Sequence, residues 1–164
     1  MRRAETARST VAVNDLVRDV VLLLEVEARM RDVRVELNLD DSLPPVIVDR
    51  IQIEQVIVNV VKNAMESAGG VPDGPRAVSI CTSRAGPDAV EVAVSDTGPG
   101  VSTAELGRLF EPFYTTKPGG MGLGLSISRS IVETHGGRLQ AVPNSDRGLT
   151  LRFSLPVPDR GGRG

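Results

Sequence analysis

The sequence predicts an α+β domain in which a layer of helices covers one face of a sheet. Three observations carry that expectation. Hydrophobic periodicity switches between helical and strand-like in the order α-β-β-α-β-β-loop-α-β-β, with strand pairs between single helices and not the strict alternation of a wound parallel fold. At 164 residues the chain has the length of one domain. Its residues are 40% apolar but only 2% aromatic, so aliphatic Val, Leu and Ile must fill the core.

The first twelve residues lack an apolar face and read either as a frayed lead-in or as the tail of a helix that begins elsewhere. From Asn14, a candidate cap, Leu16, Val17, Val20, Val21, Leu24 and Ala28 recur at helical spacing. Val33 to Leu39 alternates strictly and predicts a half-buried strand; Val46-Ile47-Val48 after Pro44-Pro45 predicts a second. Asp49 and Gln52 form a capping-box pattern ahead of a helix with Ile53, Val56, Ile57, Val60, Val61, Ala64 and Ala68 on one stripe. That helix is expected to stop at Gly69-Gly70, where glycine can turn left-handed. Strands follow at Ala77 to Ser83 and Ala89 to Val94, joined through Pro87-Asp88. Ser102 and Glu105 form another capping box, with Val101 placed to staple against Leu106 over a short helix. Glycine and proline dominate from Pro112 to Gly124. A helix through Leu123, Ile127 and Ile131 ends at Gly136-Gly137, and Arg138 to Val142 and Leu149 to Leu155 are the last strands. The Pro/Arg/Gly tail, 157–164, is expected to be disordered.

Composition excludes several functions. A net charge of −2 offers no basic excess for a nucleic-acid backbone, and four aromatic residues provide no stacking platform for bases. No apolar run approaches the ~20 residues that cross a bilayer, and Met1 leads into a charged stretch unlike a signal peptide. The lone Cys81 excludes an internal disulfide and suits a reducing cytosol, so a cytoplasmic site of action is expected.

Three clusters could carry chemistry. Asn59 and Asn63 stand one helical turn apart at the edge of the apolar stripe. Alone they fit a solvated margin, or a Mg²⁺ and phosphate site in which neutral amide oxygens join the charge of a phosphate chain. Asp96-Thr97-Gly98-Pro99-Gly100 follows a strand directly. It is an ordinary tight turn, or a reader of adenine, because a carboxylate only accepts and so matches an exocyclic amine while opposing the O6 of guanine. Gly119-Gly120-Met121-Gly122-Leu123-Gly124-Leu125 runs into a helix N-terminus, where bare backbone N–H groups favour phosphate. It is neither a Walker loop nor a dinucleotide fingerprint. Just ahead lie Thr115-Thr116-Lys117, and Lys117 is one of only two lysines among the nineteen Lys and Arg residues.

Taken together, in this order and spacing, these clusters resemble the ATP-binding catalytic domain of bacterial sensor histidine kinases, over about Val13 to Pro156. Gln55 to Ala64 resembles the family's N box, which implies that Asn63 holds Mg²⁺ and Asn59 lies near the phosphates. Asp96 to Gly100 resembles the G1 box, with Asp96 reading adenine and Gly98 and Gly100 beside it. Leu109 to Tyr114 resembles the F box that packs a mobile ATP lid. Gly120-Met121-Gly122-Leu123-Gly124-Leu125 resembles the G2 box around the phosphates, and Thr150, after Gly148, is expected to face the nucleotide. The implied fold is the two-layer sandwich of the family (the Bergerat fold), a mixed sheet of about five strands under three helices. The implied activity is transfer of the ATP γ-phosphoryl group to histidine, with Asn59 and Lys117 as the catalytic candidates.

The sequence departs from the family in two places. Many members carry lysine three residues after the Mg²⁺ asparagine, where this chain has Glu66; the phosphate charge is then expected from Lys117 and the lid residues Thr115 and Thr116. Met121 replaces a commoner threonine, as in sensor kinases built on soluble PAS-type sensors. The only histidine, His135, one residue before a glycine stop, is expected to be a packed or capping side chain. The reactive histidine is therefore expected on a separate dimerisation hairpin, of which residues 1–12 are the end, leaving an isolated domain that is monomeric and does not phosphorylate itself. A response regulator is an indirect partner. The alternatives are an ATP-hydrolysing switch or serine kinase on the same fold, and a non-enzymatic nucleotide-binding module. The hydrolytic relatives place a glutamate base where this chain has Asn59.

Overall fold

The computed structural model describes residues 7–114 and 124–158. In chain order the elements are β1 (Arg8–Val11), α1 (Val13–Leu23), α2 (Glu25–Met30), β2 (Arg34–Asn38), β3 (Val46–Asp49), α3 (Arg50–Gly69), β4 (Ala77–Arg84), β5 (Ala89–Asp96), α4 (Thr103–Leu106), α5 (Gly124–Thr134), β6 (Leu139–Pro143) and β7 (Leu149–Pro156). The main sheet has five strands in the order β2-β4-β5-β7-β6. Only β2–β4 is parallel, so the sheet is mixed, as expected.

Strand alternation creates the two layers. On β5, Val90, Val92 and Val94 point into the core, and on β7 Leu149, Leu151, Phe153 and Leu155 do the same. Against them lie Leu16, Val17 and Val20 of α1, the stripe Ile53, Val56, Ile57, Val60, Val61 and Ala64 of α3, and Val132 of α5. Each fully buried Val, Leu or Ile contributes about 1.5–3 kcal/mol relative to exposure, so α3, with the longest buried stripe, is the backbone of the layer. No helix among the described residues is long and apolar enough to cross a membrane.

Several expectations need correction. Residues 8–11 are neither frayed nor helical: they form β1, which pairs antiparallel with β3 in a separate two-stranded sheet, Arg8 opposite Asp49 and Val11 opposite Val46. Asn14 does not cap α1; the N-cap is Ala12. Asn14 is instead buried, donating to Asp40 O (2.9 Å) and accepting from the Thr82 hydroxyl (2.8 Å), which ties α1 to β4. The first helical segment breaks at Leu24 (φ −96°, ψ 10°), so that Leu24 and Ala28 are buried while Leu22, Leu23 and Val26 remain exposed. Strand β2 lies at the sheet edge; Val33 is buried and Val35 and Leu39 pack against the core as the alternation predicts, but Leu37 is exposed. Gly70 closes α3 in right-handed geometry (φ −83°, ψ −2°), not left-handed.

The capping box at Ser102 forms in full: Glu105 N donates to Ser102 Oγ (3.1 Å) and Ser102 N to Glu105 Oε1 (2.8 Å). At Asp49 only half forms. The Asp49 carboxylate accepts from Gln52 N (3.1 Å), but Asp49 N donates to Nε2 of His135 (3.1 Å). The other ring nitrogen, Nδ1, donates to Ile131 O (2.8 Å), because a carbonyl can only accept. His135 is thus the packed, capping residue expected, and it fastens the end of α5 to the start of α3.

Candidate functional site

Asp96 ends β5 on the core side of the sheet and is 4% exposed. Its Oδ1 accepts from Gly98 N (2.8 Å) and Leu149 N (3.4 Å), and Asn144 Nδ2 donates to its main-chain oxygen (3.0 Å). The strand–turn sequence requires this arrangement: β5 stops where Gly98 turns back beneath the carboxylate. Two glycines make the fit. A Cβ on Gly98 would stand 2.8 Å from Ser67 of α3, and one on Gly148 (φ +89°) would stand 1.9 Å from Asp96 O. The carboxylate is therefore held by backbone N–H donors at a close junction of β5, β7 and the end of α3.

Asn59, Asn63 and Ser67 succeed each other one turn apart along α3. At 1.5 Å per residue, Asn59 lies about 12 Å along the axis from the Ser67–Gly98 contact. Both asparagines are half-buried at the edge of the apolar stripe, as the sequence indicated. Asn59 faces α5: its Nδ2 donates to Ser128 Oγ (3.1 Å) and Gly124 O (3.4 Å). These groups outline the candidate crevice: a buried carboxylate at one end, the start of α5 at the other and two carboxamides of α3 between them. Among the described residues, no group of three or more His, Cys, Asp and Glu side chains is placed to hold a metal ion. Amide oxygens are hard, neutral donors that suit Mg²⁺ only when a ligand brings negative charge, so this donor set fits magnesium arriving with phosphate.

Thr150 is not brought to Asp96. Strand alternation puts it on the opposite face of the sheet from Leu149 and Leu151, where its hydroxyl meets Ser95 Oγ and Asn144 Oδ1, each at 2.5 Å. The residue beside the carboxylate is Leu149. Gly98 and Gly100 (φ +78°) lie in the turn as expected, and Gly124 and Leu125 start α5. Thr115, Thr116, Lys117, Gly120, Met121, Gly122 and Leu123, which include the expected lid residues and most of the expected G2 box, lie outside the described residues. In the F-box segment Phe110 packs on the core with the Arg129 guanidinium 5.3 Å from its ring centre, while Phe113 is exposed. Glu66, in the place of the family lysine, sits 3.9 Å from the Arg31 guanidinium.

Sequence reasoning missed Ser128 and Asn144. Ser128 carried a signal: it is a hydroxyl in the row Ser128, Val132, His135 that α5 buries. Asn144, in the β6–β7 turn, carried none beyond its suitability for turns.

The chain and its fold have relatives among known proteins. Residues 48–159 match the family described as histidine kinase-, DNA gyrase B-, and HSP90-like ATPase. The chain is 40% identical over 157 residues to sensor protein FixL of Bradyrhizobium diazoefficiens, covering 96% of this chain and 31% of FixL. It is 33% identical over 151 residues to sensor histidine kinase ZraS of Escherichia coli, covering 92% of this chain and 31% of ZraS. Among solved structures, the catalytic domain of histidine kinase ThkA superposes with a TM-score of 0.81 at 32% identity, covering 92% of this chain and 95% of that one. Full-length ShkA in complex with AMPPNP gives 0.82 at 25% identity, over 95% of this chain and 32% of ShkA. The chain thus spans about a third of the length of the curated relatives FixL and ZraS.

Proposed function

The chain belongs to the histidine kinase-, DNA gyrase B- and HSP90-like ATPase family, as an ATP-binding domain of the sensor histidine kinase type, and from that premise we propose that it presents Mg-ATP for phosphoryl transfer to a histidine on a separate dimerisation hairpin. The observation that carries this reading is the buried Asp96 carboxylate, fixed on Gly98 N at the head of a crevice that runs along α3 past Asn63 to Asn59.

The adenine lies at the Asp96 end. The carboxylate accepts from the exocyclic amine, and guanine is rejected because its O6 would face another acceptor. The phosphates lie toward Asn59 and the start of α5, where helical N–H groups favour anions. Asn63 and Asn59 supply amide oxygens on the metal side, and bound Mg²⁺ neutralises phosphate charge. Lys117, the amides of Gly120 to Leu125 and the lid residues Thr115 and Thr116 are assigned to the phosphates by their place in the motif. Thr150 is not retained as a nucleotide contact. The transfer breaks the bond between the γ-phosphorus and its bridging oxygen and forms one to an imidazole nitrogen, so the protein's work is positioning and electrostatics. A hydrolytic reading is disfavoured because an amide, Asn59, cannot take a proton from water.

ATP as phosphoryl donor and the single thiol suit action in the cytoplasm, and the phosphohistidine is destined for a response regulator. ThkA, a structural neighbour, has been solved in complex with response regulator protein TrrA. Supplying this chain with labelled ATP and a histidine-bearing hairpin tests the reading. Acid-labile label on the hairpin supports it; free phosphate alone, or nucleotide recovered unreacted, overturns it.

A further inference from the structure

We propose that Ser128 is a positioning residue that, together with Gly124 O, holds the Asn59 carboxamide with its oxygen toward the crevice. A primary amide presents a donor on one side and an acceptor on the other, and its two orientations have nearly the same shape. Here the orientation is fixed. Gly124 O can only accept, so the amide nitrogen must face α5, and Ser128 Oγ takes the second N–H at the shorter distance, 3.1 Å against 3.4 Å. Ser128 is 0% exposed, in a buried row of α5 otherwise filled by Val132 and His135. A hydroxyl in such a place costs free energy unless it is bonded, and Asn59 is the partner it has. With both amide hydrogens spent on α5, Oδ1 projects the other way. The crevice therefore meets an oxygen at Asn59, a group that attracts a divalent cation or its water and opposes a bare phosphate oxygen.

The same position with the amide turned over would donate to phosphate and repel a cation. Gly124 O and Ser128 together thus make Asn59 act through the metal and not through the phosphate directly. The metal half of this statement rests on the proposed Mg-ATP reading; the orientation half does not.

Two measurements test them separately. In nitrogen–proton correlation spectra of the nucleotide-free protein, the Asn59 side-chain NH₂ pair should be protected and should shift and lose protection in Ser128→Ala and in Ser128→Cys, a weak acceptor of similar volume, while the Asn144 pair stays in place. An Asn59 pair unchanged in both variants overturns the proposal. In nucleotide binding, the gain in affinity that Mg²⁺ confers on ATP should fall about fivefold in both variants, the scale of one lost hydrogen bond, with metal-free binding unchanged. In an Asn59→Ala background the Ser128 substitution should change nothing further. A full Mg²⁺ gain in the variants, or an additive loss on top of Asn59→Ala, overturns the metal half. A parent protein that binds no adenine nucleotide overturns that half together with the proposed function, and the spectra still decide the orientation.

Discussion

Replacing Gly148 with alanine strikes the junction on which the buried carboxylate depends. Two costs combine. At φ +89° a side chain is held in left-handed geometry, which costs about 1–2 kcal/mol. The new Cβ would also stand 1.9 Å from Asp96 O and 2.9 Å from its Oδ1, well inside van der Waals contact with backbone, so the turn must move. Moving it strains the bonds from Asn144 N to Gly148 O (3.1 Å) and from Asn144 Nδ2 to Asp96 O (3.0 Å), each contributing about 1 kcal/mol. The total is about 3–4 kcal/mol, or roughly 10 °C in melting temperature for a domain of this size. Gly86→Ala is the control. Gly86 has a similar φ of +76° but nothing within 4 Å of the added Cβ, so it bears only the backbone cost, about 1 kcal/mol and roughly 3 °C. Thermal melts of the two variants without nucleotide, followed by ATP titration, check both consequences. If Gly148→Ala melts within a degree or two of Gly86→Ala, the close packing around Asp96 is wrong. If it melts far lower and yet binds ATP as tightly as the parent, the carboxylate is not where the base is read.

Asp96→Asn should leave the fold intact, since an amide oxygen can still accept from Gly98 N, but should abolish the stabilisation by Mg-ATP, about 2.7 kcal/mol at a hundredfold excess over Kd; differential scanning with ATP and GTP reads this, and an unchanged ATP shift refutes the assignment. His135→Ala leaves the Asp49 N–H buried without its acceptor and should cost about 1–3 kcal/mol in urea unfolding, whereas loss of less than half a kcal/mol would deny the clamp. The Asp40 carboxyl is held below the usual value of 3.8, first by the Ser42 hydroxyl and then by the Ser42 backbone N–H. A depressed carboxyl stabilises the fold above its unfolded value and loses that contribution as pH falls through the folded one. Asp40→Asn should therefore be less stable than the parent near pH 7, with the gap closing in acid; a gap that is constant across pH-dependent melts rules this out.

What was legible in the sequence was local. The Ser102–Glu105 box, the apolar stripe of α3 and the alternation of β5 and β7 each rest on neighbours a few residues apart, and each is present. What was not legible depends on distant partners. Residues 8–11 carry no apolar alternation and become a strand only because β3 offers an edge to pair with. The box at Asp49 looked complete in sequence, yet His135, 86 positions away, takes the N–H that Gln52 was expected to bond. Thr150 is a different kind of miss. Its place after Gly148 fitted the motif, but the phase of the strand was already written in Leu149, Leu151, Phe153 and Leu155, which put every second residue inside and Thr150 outside. The same parity in Val90, Val92 and Val94 puts Asp96 inside. Counting phase as well as spacing would have separated the two residues.

The two clamps on α5 bear on how the crevice works. Its far end is fixed to the start of α3 by His135, and its near end is fixed to the middle of α3 through Asn59, Ser128 and Gly124. Together they give α5 one position relative to the carboxamides. A ligand lying between Asp96 and the start of α5 therefore meets groups already in place and does not have to order them on arrival, and preorganised donors and acceptors give up less free energy on binding than mobile ones. The position that carries lysine in many relatives adds nothing to this wall, because the Glu66 carboxylate lies toward Arg31 and cannot supply positive charge. In the proposed function, positive charge for a phosphate chain is assigned to the bound cation and to Lys117. In that reading the rigid half of the site reads the base and aligns the metal, and neutralisation is left to that cation and to Lys117. This division predicts that nucleotide affinity depends more steeply on Mg²⁺ concentration than it would if a lysine stood at position 66, and Glu66→Lys, by providing that charge on α3, should flatten the dependence. An equally steep Mg²⁺ titration in the Glu66→Lys variant would show that the missing cation is not what the metal supplies.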